Sequence, residues 1–148
     1  MPDERIKNII RDFVQAFLDE DADKVLQYVT DNVIWSSPDS TLNGKAGLKK
    51  YVEWLREANP EVGIKESGLG IVVDGDKAFA EQILSGVHNG KKWETLALCA
   101  YEFNGEKIKA IRTVYDRLFI ARQVSRGLIV KKTVKKVVGA FGQGLDEY

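Results

Sequence analysis

Two residue types that carry much of metal and redox chemistry are almost absent from this sequence. Its 148 residues include one cysteine, Cys99, and one histidine, His88. A single cysteine excludes an internal disulfide framework and a multi-cysteine zinc site, and a single histidine excludes a histidine-rich metal site. We therefore expect no metal site and a reducing compartment, the cytoplasm.

An excess of charge and long apolar runs are also lacking. Lys plus Arg and Asp plus Glu number 22 each, so no overall field recruits nucleic acid or an anionic membrane. The first residues, MPDERIKNIIRDF, are acidic where a signal peptide needs basic residues. No run approaches the roughly eighteen apolar residues of a membrane span. We expect no nucleic-acid and no membrane partner, unless a local patch provides one.

Helical periodicity dominates the first part of the chain, whose total length suits one domain. From Asp3 to Glu20, apolar residues recur every three or four positions, as in an amphipathic helix packed on a sheet. Asp21 can cap a second, short helix. A third helix is predicted from Lys45 to Ala58, ended by Asn59-Pro60.

Three turn signals at a constant interval organise the second half of the chain. Asp74-Gly75, Asn89-Gly90 and Asn104-Gly105 each supply two residues that tolerate the positive φ of a tight hairpin turn. They predict a four-stranded antiparallel meander. The long strands must twist and bend, and Gly68 and Gly70 are the expected bulge sites.

Pairing outward from these turns divides the meander into two faces. The less charged face is expected to lie under the helices, and its small central residues leave room for a cavity. The opposite face mixes apolar and charged residues, so we expect a second subunit or the C-terminal helix to cover it. The inner face is predicted to include Gln82, Trp93, Thr95, Cys99, Tyr101, Arg112 and Asp116.

The last predicted strand, Lys107 to Ile120, carries an arginine and an aspartate on that inner face. A carboxyl group in an apolar pocket has a raised pKa, which suits proton transfer, so Asp116 is the candidate acid/base. Arg112 is the candidate group that polarises a substrate oxygen. The structural alternatives are that an indole N–H or a backbone amide holds Asp116, and that Arg112 reaches the pocket rim.

Aromatic and polar residues of the inner face are suited to a flat, apolar ligand. The predicted ligand-binding residues are Trp35, Gln82, Trp93, Thr95, Cys99 and Tyr101. Cys99 has no histidine or cation near it in the derived register, which favours a small buried filler over a nucleophile. His88 precedes a turn and is interpreted as a solvent-facing residue.

The composition changes again after Arg122. Val130, Val134 and Val137 keep helical spacing, and four lysines occupy the other side. We divide the chain into a domain of residues 1–123 and a C-terminal basic amphipathic helix with a glycine-rich tail, residues 124–148. Such a helix can contact anionic lipid or nucleic acid, or lie over an apolar dock. Because the net charge of the chain is zero, we favour packing of the helix on an apolar surface.

Three N-terminal helices, a short strand from Asn32 to Ser37 closed by Pro38, and a long meander resemble the SnoaL-like branch of the nuclear transport factor two fold. The resemblance covers about residues 3–123, and its local marker is the run from Thr113 to Leu118 followed by Arg122-Gln123. It implies an α+β fold, a cone-shaped curved antiparallel sheet packed by three N-terminal helices, to which this chain adds a C-terminal amphipathic helix. It also implies an apolar pocket and a homodimer, here through the outer sheet face.

The resemblance also implies several activities, which differ in the residues they need. The steroid isomerases of this fold need a tyrosine, an aspartate and an acid where this chain has Phe13, Ser37 and Cys99, so that activity is rejected. The SnoaL-like cyclases keep an acid/base aspartate late on the final strand, which Asp116 matches. Limonene-epoxide-hydrolase-like members need an Asp-Arg-Asp set, of which only Arg112 and Asp116 are found.

Two functions follow as hypotheses. The first is cofactor-free proton transfer on a hydrophobic small molecule by a cyclase, isomerase or dehydratase that uses Asp116 and Arg112. The second is a non-catalytic member that binds a small hydrophobic ligand or serves as a dimeric interaction module. The missing second acid and the lost isomerase positions favour the second. No cofactor is implied.

Overall fold

The computed structural model describes residues 2–58 and 61–141, which form an α+β fold of five helices and a curved six-stranded sheet. The helices are α1 (Pro2–Leu18), α2 (Ala22–Leu26), α3 (Gly44–Ala58), α4 (Arg117–Val124) and α5 (Leu128–Phe141). The strands are β1 (Val29–Ser36), β2 (Thr41–Asn43), β3 (Gly63–Asp74), β4 (Lys77–His88), β5 (Lys91–Asn104) and β6 (Lys107–Tyr115). Their order across the sheet is β2-β1-β6-β5-β4-β3.

The three N-terminal helices form where the sequence predicts them. Helix α1 buries one stripe, including Ile10 and Phe13, against the sheet, and α3 buries Leu48 and Val52 beside it. The Asp21 carboxylate accepts a hydrogen bond of 3.0 Å from the backbone N–H of Lys24 and so caps α2. The predicted end of α3 at Asn59-Pro60 lies outside the described residues.

The predicted meander is confirmed, with three antiparallel hairpins connecting β3 to β6. The β4–β5 hairpin has the predicted register, with His88 opposite Lys91. For the other two hairpins the turns predict Val73 opposite Asp76 and Phe103 opposite Glu106. The last pairs are instead Asp74 with Lys77 and Asn104 with Lys107, a register shift of two residues. A shift of two residues does not by itself change the face on which a side chain lies.

The bulge predicted in β3 is also confirmed. The pairing with β4 shifts between Glu66 and Ile71, and Gly68 and Gly70 have φ angles of +51° and +64°. A Cβ atom on Gly68 would lie 1.9 Å from a carboxylate oxygen of Glu81. Glycine is therefore required here by both backbone conformation and space.

A second bulge, in β6, was not predicted. Phe103 pairs with Ile108, but Glu102 pairs with Ala110, so Lys109 is an extra residue. From this point, each β6 side chain lies on the face opposite to the predicted one, because the side-chain period of a strand is two residues. Ile111 is consequently buried under the helices.

The sheet is mixed, because β1 runs parallel to β6, with Trp35 beside Ile111. Strand β6 ends at Tyr115, short of the predicted Ile120. Asp116 then caps α4, its carboxylate accepting a hydrogen bond of 2.9 Å from the backbone N–H of Phe119. An aspartate followed by a short helix is a usual N-cap arrangement.

The C-terminal helix predicted after Arg122 is present as α5, which packs on α4. Helix α4 spans the predicted boundary between residues 123 and 124. The predicted tail with Gly142 and Gly144 lies outside the described residues. Over the described part of the chain, no helix combines the length and apolarity needed to cross a membrane.

Candidate functional site: an aromatic cavity with a neutral polar floor

A cavity of about 670 Å³ lies between the inner face of the sheet and helices α1, α3 and α4. Its walls are mainly aromatic and aliphatic. They include Phe13, Phe17, Trp35, Leu42, Tyr51, Trp54, Leu55, Val62, Ile64, Leu84, Trp93, Ile120, Ala121 and Val124. The small residues Ala78, Ala80 and Ala97 lie buried on the sheet beneath, which fits the prediction that small side chains leave room for a cavity.

Four aromatic rings form one wall of the cavity. The ring centroid of Trp35 lies 5.9 Å from that of Phe13, 5.5 Å from that of Phe17 and 6.1 Å from that of Tyr51. These tilted and edge arrangements are the favourable ones for aromatic pairs. They fix Trp35 in a position where its indole N–H points to the sheet.

Polar side chains form the floor of the cavity, and a hydrogen-bond chain joins three of them to Trp35. Trp35 Nε1 donates to Thr113 Oγ1 at 2.9 Å, Thr113 Oγ1 lies 3.3 Å from Cys99 Sγ, and Cys99 Sγ donates to Gln82 Oε1 at 3.6 Å. Tyr101 lies beside Cys99. We call Gln82, Cys99, Tyr101 and Thr113 the polar floor; all four are buried.

With the carbonyl oxygen of Gln82 accepting from Cys99, the donors and acceptors of this chain run in one direction. Thr113 accepts from the indole, and Cys99 uses its one hydrogen on Gln82, so the Thr113 hydroxyl donates to Cys99 Sγ. The carbonyl oxygen of Gln82 is thereby occupied. Within the described part of the chain, its Nε2 donates to no protein acceptor, although the residue is only 3% exposed.

The polar floor is uncharged at neutral pH. Burial raises the pKa of the Cys99 thiol, against the opposing effect of hydrogen bonds from Thr113 and Tyr101. Burial also raises the pKa of Tyr101 well above its usual 10.0, and the neighbouring Cys99 adds to this effect. A thiol with a raised pKa is a poor nucleophile. The floor therefore offers hydrogen bonds rather than charge.

Charged groups lie at the exposed mouth of the cavity. The Asp39 carboxylate accepts a hydrogen bond from the Tyr115 hydroxyl, and its other oxygen lies 3.3 Å from Arg117 Nη1. The side chains of Asp39 and Arg117 are 53% and 61% exposed. The carboxylate at this end is thus solvated and already paired with a cation.

The predicted inward placement of Arg112 and Asp116 is wrong. The extra residue Lys109 turns Arg112 to the outer face, where its Nη2 lies 2.6 Å from Glu102 Oε1. Asp116 follows the end of β6, is exposed and caps α4. Neither side chain lines the cavity, so the acid and the guanidinium expected inside it are both absent from its lining.

The six predicted ligand-binding residues fall into two groups. Trp35, Gln82, Cys99, Tyr101 and Trp93 line the cavity, and the Trp93 ring packs on Gly86, where a Cβ atom would lie 2.6 Å from it. Thr95 is buried on the inner face but does not line the cavity.

Thr113, Tyr115 and Asp39 line the cavity but were not among the predicted site residues. The first two were assigned to the outer face of β6 or left aside because the bulge was not foreseen. Asp39 follows Pro38 and belongs to a loop whose path the sequence did not specify. The three positions compared with the steroid isomerases, Phe13, Ser37 and Cys99, do line the cavity.

A metal centre finds no support in the described residues, where no group of three or more His, Cys, Asp and Glu side chains is placed to hold an ion.

Comparison with known proteins agrees with the fold. A family profile described as a SnoaL-like domain matches residues 10–111, which is more than half of the chain. No curated protein gives a significant match.

Several solved structures are similar to this chain. An NTF2-like protein of unknown function from Burkholderia pseudomallei K96243 has a TM-score of 0.72 at 14% identity, covering 82% of this chain and 98% of that one. A proposed polyketide cyclase from Xanthomonas campestris pv. campestris has a TM-score of 0.71 at 16% identity, covering 84% and 100%. An LEH-like epoxide hydrolase from M. tuberculosis has a TM-score of 0.70 at 16% identity, covering 90% and 98%. At such identities the likeness concerns the fold alone.

Proposed function

Because the chain belongs to the SnoaL-like domain family, we propose that its cavity binds a mostly apolar small molecule that presents a hydrogen-bond acceptor to Gln82. The observation that carries this proposal is the directed hydrogen-bond chain from Trp35 to Gln82. Gln82 lines the cavity and its Nε2 has no acceptor within the described part of the chain, so a ligand carbonyl or hydroxyl oxygen would supply one.

The dimensions of the cavity support a ligand of drug-like size. About 670 Å³ lies within the usual range of roughly 300–1,000 Å³ for small-molecule sites. The aromatic wall around Trp35 favours a flat molecule, and the uncharged floor disfavours a buried ionic group. No cofactor is needed for this function.

A matched pair of probes tests the role of Gln82. Fluorenone and fluorene have the same ring system and differ in one carbonyl group, and their binding can be followed by quenching of tryptophan fluorescence. Replacing Gln82 by Leu should weaken fluorenone binding by about 3- to 10-fold, the worth of one hydrogen bond, and leave fluorene binding unchanged or tighter. Gln27→Leu, on the exposed end of α2, is the control and should change neither affinity.

Two outcomes would contradict the proposal. One is that neither probe binds the unsubstituted protein. The other is that Gln82→Leu weakens both probes equally, because that result would show loss of the cavity rather than loss of a donor. A circular dichroism spectrum of each variant establishes that it is folded.

Cofactor-free proton transfer, as in a cyclase, isomerase or dehydratase, is the second candidate function. The observation in its favour is the Asp39 carboxylate at the mouth, hydrogen-bonded to Tyr115. Asp39 would act as the base in place of Asp116. It is the weaker candidate, because Arg117 pairs with Asp39 and both side chains are more than half exposed to solvent.

Hydrogen exchange at a ketone α-carbon separates the two candidates. If the protein is an acid/base catalyst, it should accelerate α-hydrogen exchange of 1-tetralone in D2O, as followed by NMR. Asp39→Asn should abolish this acceleration and Asp116→Asn should preserve it. Binding of 1-tetralone with no acceleration would instead support a ligand-binding protein.

The outer sheet face supports a homodimer, which we include in the proposal. We define the outer face by Ile34, Leu96, Leu98 and Val114, of which Ile34, Leu96 and Val114 are 46%, 49% and 58% exposed. Glu102 lies among them and is paired within the chain by Lys109 and Arg112. An apolar patch with its charges already paired suits a second copy of the same surface.

A further inference from the structure

Helix α5 exposes apolar side chains, although the sequence predicts that this helix packs on an apolar surface. Leu128 is 78% exposed, Ile129 83%, Val130 51% and Val137 40%. Helix α4 is the main element that α5 contacts. On the valine side Val134 and Val138 are half-buried, so folding of the described chain covers part of the apolar side of α5 and leaves Val130 and Val137 exposed.

The charge around this helix is entirely positive. Residues 118–141 contain six basic residues and no acidic one, with Lys131, Lys132, Lys135 and Lys136 on α5 itself. Since the whole chain has 22 basic and 22 acidic residues, the remainder has 16 basic and 22 acidic ones. The neutral net charge therefore conceals a strongly cationic segment, residues 118–141.

From Val130 onward, charge and apolar surface occupy opposite sides of α5, whereas Leu128 and Ile129 in its first turn lie on the lysine side. At 3.6 residues per turn, Val130, Val134 and Val137 project from one side, and the four lysines project from the other side and from its borders. A helix of this pattern lies in the plane of a bilayer interface, with its apolar side among the acyl chains and its lysines at the headgroups.

We propose that α5 is a membrane-surface helix that binds bilayers containing anionic lipids. The valine stripe would lie in the headgroup and acyl boundary, and the lysines at its borders would reach the lipid phosphates and carboxylates. This is attachment to one leaflet and not a crossing. The cytoplasmic leaflet, which is rich in anionic lipids, fits the compartment expected from the single cysteine. The proposal departs from the expectation, drawn from net charge, of no membrane partner.

A bilayer fits both sides of the helix better than a nucleic acid or a second copy of the chain does. A nucleic acid would engage the lysines but leave Val130 and Val137 exposed. The outer face of a second copy would cover the valines, but its Glu102 is already paired with Lys109 and Arg112, which leaves fewer acids for four lysines than an anionic lipid surface provides.

The folded domain fixes the start of this helix. Lys91 Nζ donates to the carbonyl oxygen of Ser125 at 3.0 Å, and the Arg126 guanidinium donates to the carbonyl oxygen of Asn89. Both bonds join the α4–α5 connection to the β4–β5 hairpin. Attachment of α5 would therefore hold the whole domain at the membrane in one orientation.

Co-sedimentation of the full chain with vesicles tests the proposal. We expect binding to vesicles of phosphatidylcholine with phosphatidylserine, weak binding to phosphatidylcholine alone, and loss of binding as salt is raised. The quadruple variant K131Q/K132Q/K135Q/K136Q should lower the partition coefficient several hundredfold, since each lysine at an anionic surface contributes about fivefold. The control K50Q/K65Q/K77Q/K92Q removes the same charge from exposed positions elsewhere and should bind as the unsubstituted protein does.

A second variant, V130S/V137S, removes apolar surface and leaves the charge unchanged. It should weaken vesicle binding at least fivefold, which purely electrostatic binding to a polyanion would not show. Equal loss in both quadruple variants, or equal binding to both kinds of vesicle, would overturn the proposal. So would binding to duplex DNA or RNA that V130S/V137S leaves unchanged, or a lysine-dependent dimer without vesicle binding.

Discussion

The hydroxyl group of Thr113 holds the polar floor together, because it accepts from Trp35 and donates to Cys99. Replacing Thr113 by Val keeps the shape and leaves the indole N–H without an acceptor. We expect the free energy of unfolding to fall by about 1–3 kcal/mol, the cost of a buried unsatisfied donor. Urea denaturation followed by tryptophan fluorescence measures this change.

Thr113→Ser serves as the control for that variant. It keeps the hydroxyl and removes one methyl group, so its cost should be about 1 kcal/mol or less. Equal stability of the valine variant and the unsubstituted protein would show that the hydrogen-bond chain contributes nothing to the fold.

Tyr101 and Cys99 predict a loss of stability at alkaline pH. Burial raises the pKa of each group in the folded protein above the ordinary values of 10.0 for tyrosine and 9.0 for cysteine. The folded state therefore holds both protons more tightly than the unfolded state does. Their stabilisation is complete below about pH 9 and declines as the pH rises through and beyond these values.

The free energy of unfolding, measured in urea between pH 7 and pH 11, checks this prediction. In Tyr101→Phe, the free energy of unfolding should decline less steeply at alkaline pH. Between pH 7 and pH 8 it should depend little on pH. A decline of unchanged steepness in Tyr101→Phe and in Cys99→Ala would mean that other groups cause it.

Part of the site could be predicted residue by residue, because strands β4 and β5 pair without a bulge over their whole length. Gln82, Cys99 and Tyr101 lie on β4 and β5, where one Asn-Gly turn and strict alternation place each side chain. Thr113 lies beyond an irregularity in β6, so the same alternation gave it the wrong face. Asp39 depends on a loop, whose path comes from tertiary contacts and not from local periodicity.

At the scale of elements, the β6 bulge decides which side chains the cavity receives. Deleting Lys109 would restore plain alternation and turn Ile111 and Thr113 outward, with Arg112 inward. The resulting loss should exceed the stability of a typical domain, about 5–15 kcal/mol, so we expect no folded protein by circular dichroism. Lys109→Ala keeps the bulge and should change stability by about 0.5 kcal/mol or less. A deletion variant as stable as the alanine variant would show that the bulge is dispensable.

The elements themselves differ in how far sequence predicts them. Helices α1 and α3 follow from apolar spacing, and the hairpins follow from glycine-containing turns. The β3 bulge is marked by Gly68 and Gly70, whereas the β6 bulge occurs at a lysine and carries no such mark. The sequence does not show where β6 ends and α4 begins, because the apolar run after Tyr115 suits a strand or a helix. In the structure the N-cap at Asp116 starts the helix.

The proposed functions occupy three separate surfaces of the molecule. The cavity mouth is bordered by α4, through Ile120, Ala121 and Val124, and α5 continues from α4. A domain held at a bilayer by α5 would thus have its cavity near the phase into which apolar molecules partition. The outer sheet face lies on the opposite side of the sheet from the cavity, so it stays available to a second subunit.

A homodimer through that outer face is the last prediction. The expected mass of the unsubstituted protein in light scattering is twice 16.6 kDa. Leu96→Asp or Val114→Asp should give a monomer, because two-fold symmetry places each new charge twice in an apolar interface, at a cost of several kcal/mol. Leu128→Asp, at an exposed leucine of α5, is the matched control and should stay dimeric. A monomeric mass for the unsubstituted protein at high concentration would refute the dimer, and loss of the dimer in Leu128→Asp alone would place the interface at α5.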